Sequence, residues 1–124
     1  MRLSAILTVA AGLLGLTGMA HAAQTIASPA IYASPAQTRA ACVIGNTGTQ
    51  DLTVDIEVLS EAGTRFGGGP CFVEANFICT IFAPIPNGQA VACSATVPGS
   101  ADKLRGSLVL YDASDVALTS TQLR

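Results

Sequence analysis

The sequence holds no tryptophan, one histidine and a single lysine, Lys103, and only 11% of its residues are charged. Each scarcity removes a class of chemistry. The histidine is His21, and Ala20-His21-Ala22 reads as the small-x-small cleavage site of a secretory leader. Arg2 supplies the positive start of that leader and Leu3–Leu16 its apolar stretch. Cleavage after Ala22 leaves a chain with no histidine at all. Ser–His and Cys–His nucleophile pairs are then excluded, and so is any metal site built on imidazole. A Ser–Lys mechanism would have to use Lys103, whose neighbours Asp102, Leu104 and Arg105 read as the polar start of a strand. No catalytic residue and no cofactor is expected.

Positive charge is the scarcer sign. Six basic residues less Arg2 leave five against eight acidic ones, so the exported chain carries about −3. Those five stand apart at Arg39, Arg65, Lys103, Arg105 and Arg124. Nucleic acid needs clustered cations to displace counterions from phosphate, so it is not an expected partner. Long apolar runs are missing after the leader, and the leader's own stretch falls short of the roughly 20 residues of a membrane span. Ala23 rather than cysteine follows the cleavage site, which leaves no thiol to carry a lipid. The expectation is an exported protein, periplasmic or extracellular, without a transmembrane anchor. Its 124 − 22 = 102 residues suit one domain over residues 23–124.

What is present is hydrophobic alternation broken at short intervals. Along Asp51–Ser60, Leu52, Val54, Ile56 and Val58 fall on one face and Thr53, Asp55 and Glu57 on the other. Leu104, Leu108 and Leu110 repeat the rhythm, with Gly106 in the remaining inward slot. Further strands are predicted at Thr25–Ser34, Thr38–Asn46, Ile78–Ala83, Gln89–Val97 and Val116–Thr121. Ala23–Ala36, with Pro29 and Pro35, reads as loose chain or an edge strand. Asn46-Thr47-Gly48, Glu61-Ala62-Gly63, Gly67-Gly68-Gly69-Pro70, Asn87-Gly88 and Pro98-Gly99 read as turns. About seven short strands with regular turns predict an all-β antiparallel sandwich. The glycine run lacks the Lys-Ser/Thr and the following helix of a phosphate loop, and is taken as a flexible turn.

Four cysteines allow three pairings. Cys42 shares a face with Ile44, and Cys93 with Ala95 and Val97, so both point to the core and favour Cys42–Cys93. Cys71 and Cys79 flank a loop and would close it locally. Zinc knuckles and Cys-x-x-Cys redox sites need spacings that the chain does not have, so no metal is expected. Two disulfides place the chain in an oxidising compartment.

Asp55 and Glu57 stand about 7 Å apart along one strand face, a separation that could serve a carboxylate-dependent hydrolase or a weak calcium site. The same arrangement describes any wetted sheet face, which is the heavier reading. Asp112 and Asp115 bracket a tight turn, where aspartate serves local backbone hydrogen bonds. One asymmetry is left over. Phe66, Phe72, Phe77 and Phe82, the four phenylalanines of the chain, all lie around the second cysteine pair. Phe72 and Phe77 are the candidate binding residues, an apolar tip for a protein, glycan or lipid surface. The plainer and favoured expectation is that the loop folds back and its rings cap one end of the core.

Two stretches carry a resemblance. Ala41-Cys42-Val43-Ile44-Gly45-Asn46 with the Leu52–Leu59 strand, and Cys93-Ser94-Ala95-Thr96-Val97-Pro98-Gly99-Ser100 with Lys103–Leu108, resemble the two halves of small exported bacterial domains of unassigned function. That resemblance implies a Cys42–Cys93 bridge; the Gly67–Cys79 segment departs from it. The Asn-Thr-Gly turn ahead of an alternating strand is more loosely similar to Ig-like modules of the abnormal-spindle and papillary-chaperone type. Both imply an Ig-like sandwich and supply no catalytic residue. The function expected is therefore a non-catalytic envelope module that binds or structures a partner, with a small hydrolase as the alternative. The oligomeric state has no signal in the sequence.

Overall fold

The computed structural model describes residues 22–124 apart from Asn87; the expected leader, residues 1–22, lies outside them save for Ala22. Nine strands follow one another in the described chain. They are β1 (Gln24–Ala27), β2 (Ile31–Tyr32), β3 (Gln37–Asn46), β4 (Leu52–Ser60) and β5 (Arg65–Val73), then β6 (Ile78–Pro84), β7 (Ala90–Val97), β8 (Leu104–Asp112) and β9 (Ala117–Leu123). One sheet runs β1-β7-β4-β5, with β2 also paired to β7, and the other runs β6-β3-β8-β9. Every pairing is antiparallel. The fold is the all-β antiparallel sandwich that the alternation predicts.

Val54, Ile56 and Val58 of β4 are buried, and so are Leu104, Leu108 and Leu110 of β8. They share one core with Ile44 of β3 and Val91, Ala95 and Val97 of β7. Burying each such side chain is worth about 1.5–3 kcal/mol, which is what holds the two sheets face to face. Gly106 does occupy an inward slot of β8: a Cβ there would stand 2.7 Å from Ile44 Cδ1. Cys42 of β3 and Cys93 of β7 are fully buried and form a disulfide through the core, their Cα atoms 5.8 Å apart.

Two expectations change. The predicted Thr25–Ser34 strand divides into β1 and β2, because the segment around Pro29 leaves the ladder on β7. The Gly67–Pro70 run is no flexible turn. It is the middle of β5, paired residue by residue with β4. Glycine is required there by what lies next to it. Gly68 has φ +148°, and a Cβ on it would fall on the Ile56 carbonyl oxygen and within 2.9 Å of Glu57 Cα. A Cβ on Gly67 would meet Ala83 Cβ of β6 at 2.9 Å. Pro70 is tolerated because β5 is the outer strand of its sheet.

β5 and β6, edge strands of different sheets, are joined by the Cys71–Cys79 disulfide, with Cα atoms 6.6 Å apart. The bridge therefore closes one flank of the sandwich as well as a loop. On the other flank, Ala27 of β1 and Arg124 after β9 exchange two backbone hydrogen bonds of 3.1 Å.

Candidate functional site

Three loops meet at one end of the sandwich. They join β3 to β4, β5 to β6 and β7 to β8; Asn46 at the end of β3 holds the first two and its neighbour Thr47 the third. Its buried side chain donates from Nδ2 to the carbonyls of Gln50 at 2.7 Å and Val73 at 3.1 Å. Its Oδ1 accepts from the Gly48 N–H at 2.9 Å. Its own backbone N–H donates to the Phe77 carbonyl and its carbonyl accepts from Asn76 N–H. Asp51 Oδ1 adds a bond from the Ala75 N–H, and Thr47 bonds the Lys103 carbonyl through both its N–H and its hydroxyl. Asn46 is thus a buried clamp on the loops, with its Nδ2 donors and its Oδ1 all engaged within the chain.

The β5–β6 connection that Asn46 grips carries the candidate aromatics. Phe72 is 62% exposed on the outer face of β5, opposite Thr53. Phe77 is also 62% exposed and closes the Glu74–Phe77 turn, its N–H bonded to the Glu74 carbonyl. Ile78, the first residue of β6, is 71% exposed. The expected capping of the core by these rings is overturned. The Cys71–Cys79 bridge fixes Cys71 and Cys79 against the core, and strand alternation then turns Phe72 and Ile78 outward on either side of it. Only Phe66 packs on the core. Phe82 lies on the outer face of the other sheet, under the Arg39 guanidinium at 4.8 Å and near the Tyr111 ring at 6.3 Å. Sequence reasoning named Phe72 and Phe77 and missed Ile78, whose alternation with Cys79 was the available signal.

A feature with no motif to announce it lies at the same end. A cleft of 630 Å³ opens between the β3–β4 and β7–β8 loops, walled by Thr49, Gln50, Leu52, Ser100, Asp102 and Lys103. Lys103 stands on its open rim rather than in a closed pocket.

The hydrolase pair lies elsewhere. Asp55 and Glu57 are on the outer face of β4, facing Pro70 and Gly68 on one side and Thr96 and Ser94 on the other. Glu57 Oε1 is 4.0 Å from Arg65 Nε, and Asp55 is exposed. Neither carboxylate lines a cleft with the other across it. Asp112 Oδ1 accepts the N–H groups of Ser114 and Val116, both at 2.9 Å, so it organises its turn as aspartate in such turns does. Asp115 pairs with Arg39. Among the described residues no helix is long and apolar enough to cross a membrane.

No protein-family model matches the chain, and no curated protein matches it. Solved structures do. A crystal structure titled Thermotoga maritima 1070 is 13% identical with a TM-score of 0.52, over 81% of this chain and 91% of that one. The Anabaena sensory rhodopsin transducer is 19% identical with a TM-score of 0.44, over 77% and 93% of the two chains. What the first similarity shows is the fold.

Proposed function

We propose that this chain is an exported, non-catalytic, Ig-like β-sandwich module of the cell envelope that holds a protein or glycan partner through Phe72, Phe77 and Ile78. The observation that carries this reading is the exposure of those three bulky apolar side chains around one disulfide. Small soluble domains seldom leave large apolar groups clustered in water without a use for them. Aromatic anchors supply most of the energy at recognition surfaces. The bridge and the Asn46 clamp hold the connecting chain in place before binding, which lowers the ordering cost on association. The open face beneath Asp55 and Glu57 favours a module over a hydrolase, which needs its two carboxylates across a cleft.

The test is a pull-down from envelope extract with the oxidised protein and its Phe72→Ser/Phe77→Ser variant. A partner held by the wild type and lost by the folded variant is the expected outcome. Equal recruitment by both proteins, or recruitment by neither, overturns the assignment.

A further inference from the structure

Only one of the two disulfides can be reached from solvent. Cys42 and Cys93 are fully buried between the sheets. Cys71 and Cys79 pack on the rim of the core and are only partly buried. Thiol–disulfide exchange requires a thiolate to arrive on a disulfide sulfur, so access decides which bond reacts. The outer bridge is open to that attack in the folded protein. The inner one is closed until the sheets separate.

The outer bridge is also the one that the sandwich can open without coming apart. β5 and β6 are edge strands of different sheets and share no ladder, so Cys71–Cys79 is a covalent tie between strands that the backbone leaves unjoined. β5 is held along its length by β4, and β6 by β3. The core around Ile44, Ile56, Leu108 and Leu110 lies elsewhere, as does the Cys42–Cys93 bridge. The opposite flank is closed by the Ala27–Arg124 hydrogen bonds. Opening the outer bridge therefore releases one edge and leaves the fold. From Phe66 to Thr80 the only charged residue is Glu74. That segment supplies no cation to hold a thiolate, the feature that makes a cysteine pair a reductant in its own right. The pair suits the other role, accepting electrons.

We propose that Cys71–Cys79 is a reducible clasp, opened by a dithiol reductant in the folded protein, which frees β5 and β6 to part at the corner bearing Phe72 and Ile78. One thiolate of the reductant attacks a bridge sulfur, forms a mixed disulfide and releases the other cysteine as its thiolate. The reductant's second thiolate then displaces the remaining protein sulfur. The two cysteines take up the two protons that the reductant loses. The protein gains two electrons, and the reductant departs as its own disulfide. Cys42–Cys93 stays oxidised throughout.

Dithiothreitol is the probe. The oxidised protein is exposed to it in native buffer, trapped at intervals with iodoacetamide and mapped by peptide mass spectrometry. Alkylation of Cys71 and Cys79 is expected to outrun that of Cys42 and Cys93 at least about a hundredfold, because the inner pair waits on rarely populated unfolded molecules. Amide hydrogen exchange of the protein with its outer bridge reduced is expected to quicken in β5 and β6 and to hold steady in β7 and β8. A Cys71→Ser/Cys79→Ser variant is expected to exchange in the same way. Reduction of both bridges together, or of neither until denaturant is added, overturns the site. Selective reduction with unchanged exchange overturns the clasp. No partner enters the experiment, so its outcome is independent of the recognition reading.

Discussion

Asn46 shows how much one side chain does at the working end of this molecule. It is buried, bonded at every polar atom, and it joins the β3–β4 loop, the end of β5 and the β5–β6 turn. Asn46→Ala would strand the Val73 carbonyl and the Gly48 N–H without their partners. The expected cost is about 3 kcal/mol, since each buried polar group left unpaired costs about 1–3 kcal/mol. Urea unfolding measures it, and a loss below about 1 kcal/mol would show that water replaces the clamp. The sequence marked Asn46-Thr47-Gly48 as a turn. It gave no sign that the amide reaches Val73, because that contact spans strands distant along the chain. Phe72 and Phe77 were legible as a cluster for a simpler reason: the other strands use aliphatic side chains.

At the scale of single elements, β4 and β8 were readable because each is half-buried, so hydropathy alternates with the pleat. β5 was not. Its glycines have no side chain to report a buried or exposed face, and locally they read as a turn. Their reason lies in the neighbours, the Ile56 carbonyl against Gly68 and Ala83 against Gly67. Gly68→Ala is expected to destabilise the fold by at least about 2 kcal/mol, from the strained positive φ and the displaced β4 backbone together. Thermal unfolding would register this as a lowered midpoint. An unchanged midpoint would mean that β5 can leave the sheet at little cost.

For the whole molecule the two disulfides differ in kind. Cys42–Cys93 runs through the core and links the two sheets across 51 residues of chain. In the chain-entropy model a loop of that length is worth roughly 4 kcal/mol, against about 2.5 kcal/mol for the 8-residue separation of Cys71 and Cys79. The Cys42→Ala/Cys93→Ala variant is therefore expected to lose more stability to denaturant than Cys71→Ala/Cys79→Ala. Its two fully buried positions add a cavity to the entropic loss. Equal losses would put the stabilising weight on the flank rather than the core. The short bridge has the other task, holding the corner that bears Phe72, Phe77 and Ile78. That corner lies on the flank opposite β9.

Sequence by itself determined the all-β class, the buried faces of β4 and β8, and the inward aim of Cys42 and Cys93. All three follow from a period-two pattern that acts between residues one and two apart. Tertiary structure decided that Gly67–Pro70 is strand and that Cys71–Cys79 joins two sheets. It also decided that Phe72 and Phe77 face water. Each of these depends on which distant segment lies alongside, and burial and backbone pairing are properties of that neighbour as much as of the residue.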